Sequence, residues 1–173
     1  MAAPRAGDPK RAQYEQELLD PATVARSLAR KRLAASRVRV DFVGLDGAQL
    51  PLDDGSCDTA LSTFTLCTVP DPASVLAEIR RVLKPGGTFH FVEHGLAPDE
   101  DVVRKQRRIE PWNRRLAGGC HLTRDHWALL TDAGFTLERR VAEYGDGPRP
   151  YSYHYLGTAR TPSSEQAATS PSS

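Results

Sequence analysis

Residues 59–92 read TALSTFTLCTVPDPASVLAEIRRVLKPGGTFHFV. Thr59 to Leu66 is a nearly continuous run of small, β-branched and apolar side chains, the pattern of a strand buried on both faces and hence of a parallel sheet. Ala73 to Leu83 then places Val75, Leu76, Ile79, Val82 and Leu83 on one helical stripe, and Lys84-Pro85-Gly86-Gly87 turns the chain out of the helix. Thr88 to Val92 reads as a second strand. Strand, helix, turn and strand within about 35 residues make a βαβ unit, so the two strands should be adjacent and parallel with the helix crossing between them. The fold class that follows is α/β.

Outward from this unit, Val38, Val40 and Phe42 alternate with Arg39 and Asp41, predicting a strand over Val38 to Val43 that stops at Gly44. Asp53-Asp54-Gly55 is turn chemistry. Asp20-Pro21 is a helix start, and Val24, Leu28 and Leu33 carry a helix to Ala35, with Arg26, Arg30, Lys31 and Arg32 as its solvated side. On the C-terminal side, Thr123 to Ala133 predicts a helix closed by Gly134. Phe135 to Val141 and Tyr151 to Thr158 predict an antiparallel hairpin through Gly145-Asp146-Gly147-Pro148. Neither end of the chain has a hydrophobic period. The organisation expected is a disordered or remnant segment over 1–19, one domain over 20–160 and a disordered tail over 161–173.

Twenty-three basic and 22 acidic residues leave a formal net charge of +1, so no overall field draws the protein to nucleic acid. No apolar run approaches the roughly 20 residues of a membrane span, and Met1 to Asp20 has no signal-peptide core, which predicts a cytoplasmic protein. Cys57, Cys67 and Cys120 lie far apart in sequence without a Cys-x-x-Cys pair, as suits reduced thiols. Cys120, His121 and His126 supply two to three metal-ligand types without a fourth, so no metal site is expected.

Three blocks then carry a family resemblance: Leu45-Asp46-Gly47-Ala48-Gln49-Leu50-Pro51, Cys57-Asp58-Thr59-Ala60-Leu61 and Arg81-Val82-Leu83-Lys84-Pro85-Gly86-Gly87. In that order and spacing they resemble the class I S-adenosylmethionine-dependent methyltransferases of the ubiquinone and menaquinone type. Phe91-Val92-Glu93-His94, Glu110-Pro111-Trp112 and Gly119-Cys120-His121-Leu122-Thr123-Arg124 resemble the branch with small-molecule and thiol S-methyltransferase-like proteins. The likeness runs from about Asp20 to about Arg160. It implies a Rossmann-like, mostly parallel sheet, S-adenosylmethionine as cofactor and a small or lipophilic acceptor with an oxygen, sulfur or carbon nucleophile.

By the same resemblance, Asp20 stands where a carboxylate accepts from both ribose hydroxyls, although Asp-Pro before a helix is equally an N-cap. Asp46 and Gly47 match the pair that meets adenine, or else simply form a turn. Thr63 matches a contact near the methionine end, with Phe64 to Cys67 continuing the pocket wall. Glu93 and His94 are the candidate bases nearest the methyl position, the alternative being a strand-end pair bonded to backbone. The loop with Cys120 and His121 caps the substrate pocket in the resemblance. His90 reads as a core or face residue.

The family's first strand, with the Gly-x-Gly cradle that follows it, has no counterpart here: Gly7 is the one glycine upstream of Asp20. Binding of S-adenosylmethionine is therefore expected to be weak or absent. The reading that competes with an enzyme is a catalytically inactive methyltransferase-like remnant acting as a binding or scaffold protein. A gap in the sheet would also leave Val38 to Val43 needing a neighbour. Gln13 to Leu19 can be drafted, the segment can close onto the strand at Thr59, or a second copy can pair at the open edge as a homo-oligomer.

Overall fold

The computed structural model describes residues 32–37, 39–41 and 46–163, in two compact units, 1–45 and 46–173. In the first unit residues 32–35 are helical, the last turn of the helix expected over Pro21 to Ala35. Residues 39–41 are not a strand, although the alternation there predicts one, and Arg39 and Asp41 form a 2.9 Å surface ion pair. A period of two marks a strand only where a ladder partner exists, and none pairs with 39–41 among the described residues. Asp20, Gln13 to Leu19, Val38, Phe42 and Val43 lie outside the described residues.

The second unit runs β1 (Cys57–Thr63), α1 (Pro72–Val82), β2 (Leu83–His94), α2 (Glu100–Leu116), α3 (His126–Asp132), β3 (Thr136–Tyr144), a 3-10 turn (Arg149–Tyr151) and β4 (Tyr153–Arg160). Sheet order is β1-β2-β4-β3. β1 and β2 are parallel with α1 between them, as expected of the βαβ unit. β4 pairs antiparallel with both β2 and β3, so the hairpin expected at the C-terminus is present and its second strand enters the middle of the sheet. Within the described residues the parallel geometry is confined to β1 and β2.

β1 departs from its expected outline. It ends at Thr63 rather than Leu66, because Phe64 adopts a left-handed backbone, φ 51°, that no strand accommodates. Nor is it buried on both faces: Ser62 alone in β1 is buried, and Leu61 is 72 % exposed. β1 is outermost in the described sheet, with a partner on one side.

β2 begins at Leu83, upstream of the Lys84-to-Gly87 segment read as a turn. Cys57 faces Leu83 and Thr59 faces Thr88, so residues 84–87 bulge out of the ladder. Gly86 turns at φ 74°, and a Cβ on Gly87 would lie 2.8 Å from the Lys84 carbonyl oxygen. Thr161 seals this bulge: its Oγ1 donates to the Lys84 carbonyl at 2.7 Å and its N–H to that of Gly87 at 3.1 Å. Packed structure therefore continues past residue 160.

The core lies on one face of the sheet. β2 alternates, sending Phe89, Phe91 and Glu93 inward and leaving His90 exposed, where its Nδ1 meets Thr158 Oγ1 at 3.1 Å. Val75 and Leu76 of α1, Leu130 of α3, and Tyr155 and Ala159 of β4 complete it. Each large apolar side chain buried there contributes about 1.5–3 kcal/mol. Asp71 caps α1, its Oδ1 accepting from the N–H groups of Ala73 and Ser74, and Pro72 fills the first helical position. α3 starts three residues later than predicted, because Asp125 caps it through Trp127 and Ala128.

Sequence periodicity does not reveal α2. Its 17 residues are dominated by charge, contain Pro111 and bury only Val102 and Gln106. Gln106 fixes it by polar contacts, accepting from Ala97 N–H at 3.1 Å and donating to the carbonyls of Gly95 at 3.0 Å and Pro150 at 3.3 Å.

Candidate active site

β1 and β2 end side by side, Thr63 opposite Val92, and ligands of open parallel sheets collect beyond such C-terminal ends. The inward alternation of β2 carries Glu93 into the core, where it is wholly buried. It accepts from Ser62 Oγ at 2.6 Å, Thr65 N–H at 3.1 Å and Cys67 N–H at 3.0 Å. Both carboxylate oxygens are thus engaged in shaping the turn after β1. From the other side the Arg124 guanidinium donates to the carbonyls of Leu66 and, at 2.7 Å, Val69. The buried Glu93 carboxylate and the half-buried Arg124 guanidinium therefore hold residues 65–69 by their backbone.

Cys67 sits in that turn, fully buried. The loop after α2 brings Cys120 to it: His121 N–H donates to the Cys67 carbonyl at 2.7 Å, and Asn113 Nδ2 donates to that of Cys120 at 2.8 Å. His94, at the end of β2 and half-buried, places Nδ1 3.8 Å from Cys120 Sγ. Its ring packs against those of Phe64, 4.6 Å away, and His154, 4.8 Å away, while its carbonyl accepts from His126 Nε2 at 2.7 Å. A hydrogen bond from Cys67, then one from His94, holds the Cys120 thiol below the ordinary thiol range, against burial. The same thiol–thiol bond and burial push Cys67 well above the ordinary thiol range.

Thr63, Glu93 and His94 stand at this end of the sheet, and Cys120 and His121 lie in the loop that meets the turn after β1. Thr63 is exposed and its carbonyl accepts from Thr65 Oγ1 at 3.2 Å. His121 lies 3.5 Å from Glu110, and burial lowers its basicity despite that neighbour. Glu110 itself secures the loop, accepting from the N–H groups of Leu122 and Thr123 and from Thr123 Oγ1. Asp46 and Gly47 form a turn that packs on α1, with Asp46 Oδ1 accepting from Ala48 N–H at 2.9 Å and Gly47 meeting Val75. His126 stays apart from the thiols, buried at the start of α3.

Sequence reasoning did not pair Cys67 with Cys120, and it missed Ser62 and His154; no spacing rule joins residues 53 positions apart through two separate loops. An open groove of 420 Å³ beside the capping loop is lined by Thr68, Gly119, His121, Arg114 and Arg115. A larger cleft, 580 Å³ between α1 and α3, is lined by Ala77, Arg80 and Leu129.

Comparison with known proteins bears on this architecture. A family profile described as a methyltransferase domain matches residues 10–91. The rat thiol S-methyltransferase TMT1B is 42% identical over 86 residues, 49% of this chain and 35% of that protein. A demethylmenaquinone methyltransferase of Clavibacter sepedonicus is 42% identical over 71 residues, 41% of this chain and 29% of that protein. The match thus spans about a third of these relatives' length. Among solved structures, a methyltransferase from Methanosarcina mazei superposes with a TM-score of 0.61 at 20% identity, over 81% of this chain and 78% of that one. The [4+2]-cyclase SpnF does so with 0.61 at 20%, over 83% and 63%, so the fold by itself does not fix the reaction. Family profile, curated relatives and fold agree in one likeness, to methyltransferases of the class I S-adenosylmethionine-dependent type.

Proposed function

We propose that the chain serves methyl transfer from S-adenosylmethionine to a small acceptor with a thiol nucleophile, and that its strand-end site is the acceptor side of that reaction. The observation that supports this reading most is His94, half-buried at the end of β2 beside the Cys120 thiol, in a chain of which about half is similar to a protein named as a thiol S-methyltransferase. When bound, the sulfonium cofactor supplies an electrophilic methyl group. The chain's own task is to hold the acceptor in line and to take its proton. A free thiol, with a pKa of about 8.5, is only partly ionised at neutral pH, so an imidazole at the site raises the reactive fraction.

Asp46 and Gly47 fit the adenine end: one carboxylate oxygen is used on Ala48, the side chain stays exposed to accept a donor, and the glycine leaves its backbone approachable. Thr63 borders the methionine end, and Cys120 and His121 line the acceptor pocket. Glu93 positions the turn that carries these contacts.

The test is to incubate the chain with trideuteromethyl-labelled S-adenosylmethionine and a small aliphatic thiol, and to follow the labelled thioether by mass spectrometry. Thioether should form faster than without protein, and His94→Ala should slow it by about 100-fold or more. No protein-dependent thioether would favour the non-catalytic binding reading instead.

A further inference from the structure

We propose that Cys67, Cys120 and His94 form a binding site for a thiophilic d10 cation, with Zn2+ as the test ion. This inference does not depend on the methyl-transfer reading. The Sγ atoms of both cysteines and a ring nitrogen of His94 all lie within 4.8 Å of one another. With Zn–S of about 2.3 Å and Zn–N of about 2.0–2.1 Å, a tetrahedral site sets sulfur and nitrogen ligands about 3.5 Å apart. Cys120 Sγ and His94 Nδ1 are 3.8 Å apart, a few tenths of an ångström beyond that spacing, and the other two ligand pairs lie within 4.8 Å.

The ligand chemistry is also suited to such an ion. Two sulfurs and one imidazole select soft or borderline cations over Mg2+ or Ca2+, and two thiolates balance a divalent charge without a carboxylate. The carboxylate of Glu93 donates no ligand: its oxygens are taken by Ser62 Oγ and by the N–H groups of Thr65 and Cys67.

Each ligand is oriented before any ion arrives. Cys67 is fixed by its own N–H on Glu93 and its carbonyl on His121 N–H, and Cys120 by its carbonyl on Asn113. His94 is held by His126 at its carbonyl and by the rings of Phe64 and His154. Supporting contacts of this kind govern metal affinity as well as the ligands do. Three protein ligands leave a fourth position open to water or to an exogenous donor, the arrangement of reactive rather than purely structural zinc sites.

The experiment is titration of the reduced, metal-free full chain with Co2+ under anaerobic conditions, followed by displacement with Zn2+. One equivalent should produce a thiolate-to-cobalt charge-transfer band, with visible bands of tetrahedral intensity, and Zn2+ should abolish both. Cys67→Ser and Cys120→Ser should each weaken binding at least about 100-fold and His94→Ala by about 10-fold or more, whereas Cys57→Ser should leave it unchanged. Because substitution of a buried thiol can unfold the chain, X-ray absorption on the zinc-loaded unaltered chain supplies the second readout, with two sulfur and one imidazole ligand expected. A zinc shell of oxygen and nitrogen only, no charge-transfer band at millimolar Co2+, or a band that survives in the folded Cys67→Ser, Cys120→Ser double variant would overturn the assignment.

Discussion

Glu93→Gln separates shaping of the site from chemistry within it. Oε1 accepts from Ser62 Oγ and Thr65 N–H, and Oε2 from Cys67 N–H. In its best orientation glutamine keeps its oxygen at the first position and turns an amide donor toward Cys67 N–H. One buried charge-assisted bond is then lost and a buried donor is orphaned, while the remaining two bonds become neutral. With charged-acceptor bonds at about 1.5–3 kcal/mol and an orphaned donor at about 1–3 kcal/mol, overlapping in part, the expected loss is about 2–4 kcal/mol. That is a large share of a stability of about 5–15 kcal/mol. Urea unfolding followed by far-ultraviolet circular dichroism should place the midpoint about 1–2 M lower, given a slope of about 1–3 kcal/mol per molar urea. A loss under about 1 kcal/mol, joined to collapse of methyl transfer, would refute the reasoning and make Glu93 a reacting group.

Gly157→Ala should destabilise by about 3 kcal/mol or more, read by thermal unfolding, because its Cβ would run into the Arg139 carbonyl and lie 2.7 Å from the Phe91 ring. Asp125→Ala should cost about 1 kcal/mol by removing the cap on the N–H groups of Trp127 and Ala128, a change that urea unfolding resolves. Glu78 is held down to about 2 by Arg81 and by Leu50 N–H, so its contribution is fully present above about pH 4.5 and is lost as pH falls toward 2. Glu78→Gln should flatten that acid limb of the stability curve, measured by urea midpoints across pH.

The βαβ core was legible because Val75, Leu76, Phe89 and Phe91 write their burial into the sequence as periodicity. α2 was not, since a helix held by Gln106 and by its charged surface has no apolar stripe to read. The bulge at residues 84–87 was read as a turn because proline and glycines mark a change of direction without saying whether the ladder resumes. At the site, residues on the strand ends were found from the resemblance and from strand position. The Cys67–Cys120 contact was hidden because it depends on how the loop after α2 folds back, a tertiary fact with no local signature.

The most direct test of the central claim, that the ends of β1 and β2 form the cofactor and acceptor site, is nuclear magnetic resonance of the labelled chain titrated with S-adenosylhomocysteine to millimolar concentration. Amide shifts should concentrate at residues 46–47, 62–67 and 93–95, in fast exchange. Shifts confined to the cleft between α1 and α3 around Ala77, Arg80 and Leu129, or none at all, would contradict the account.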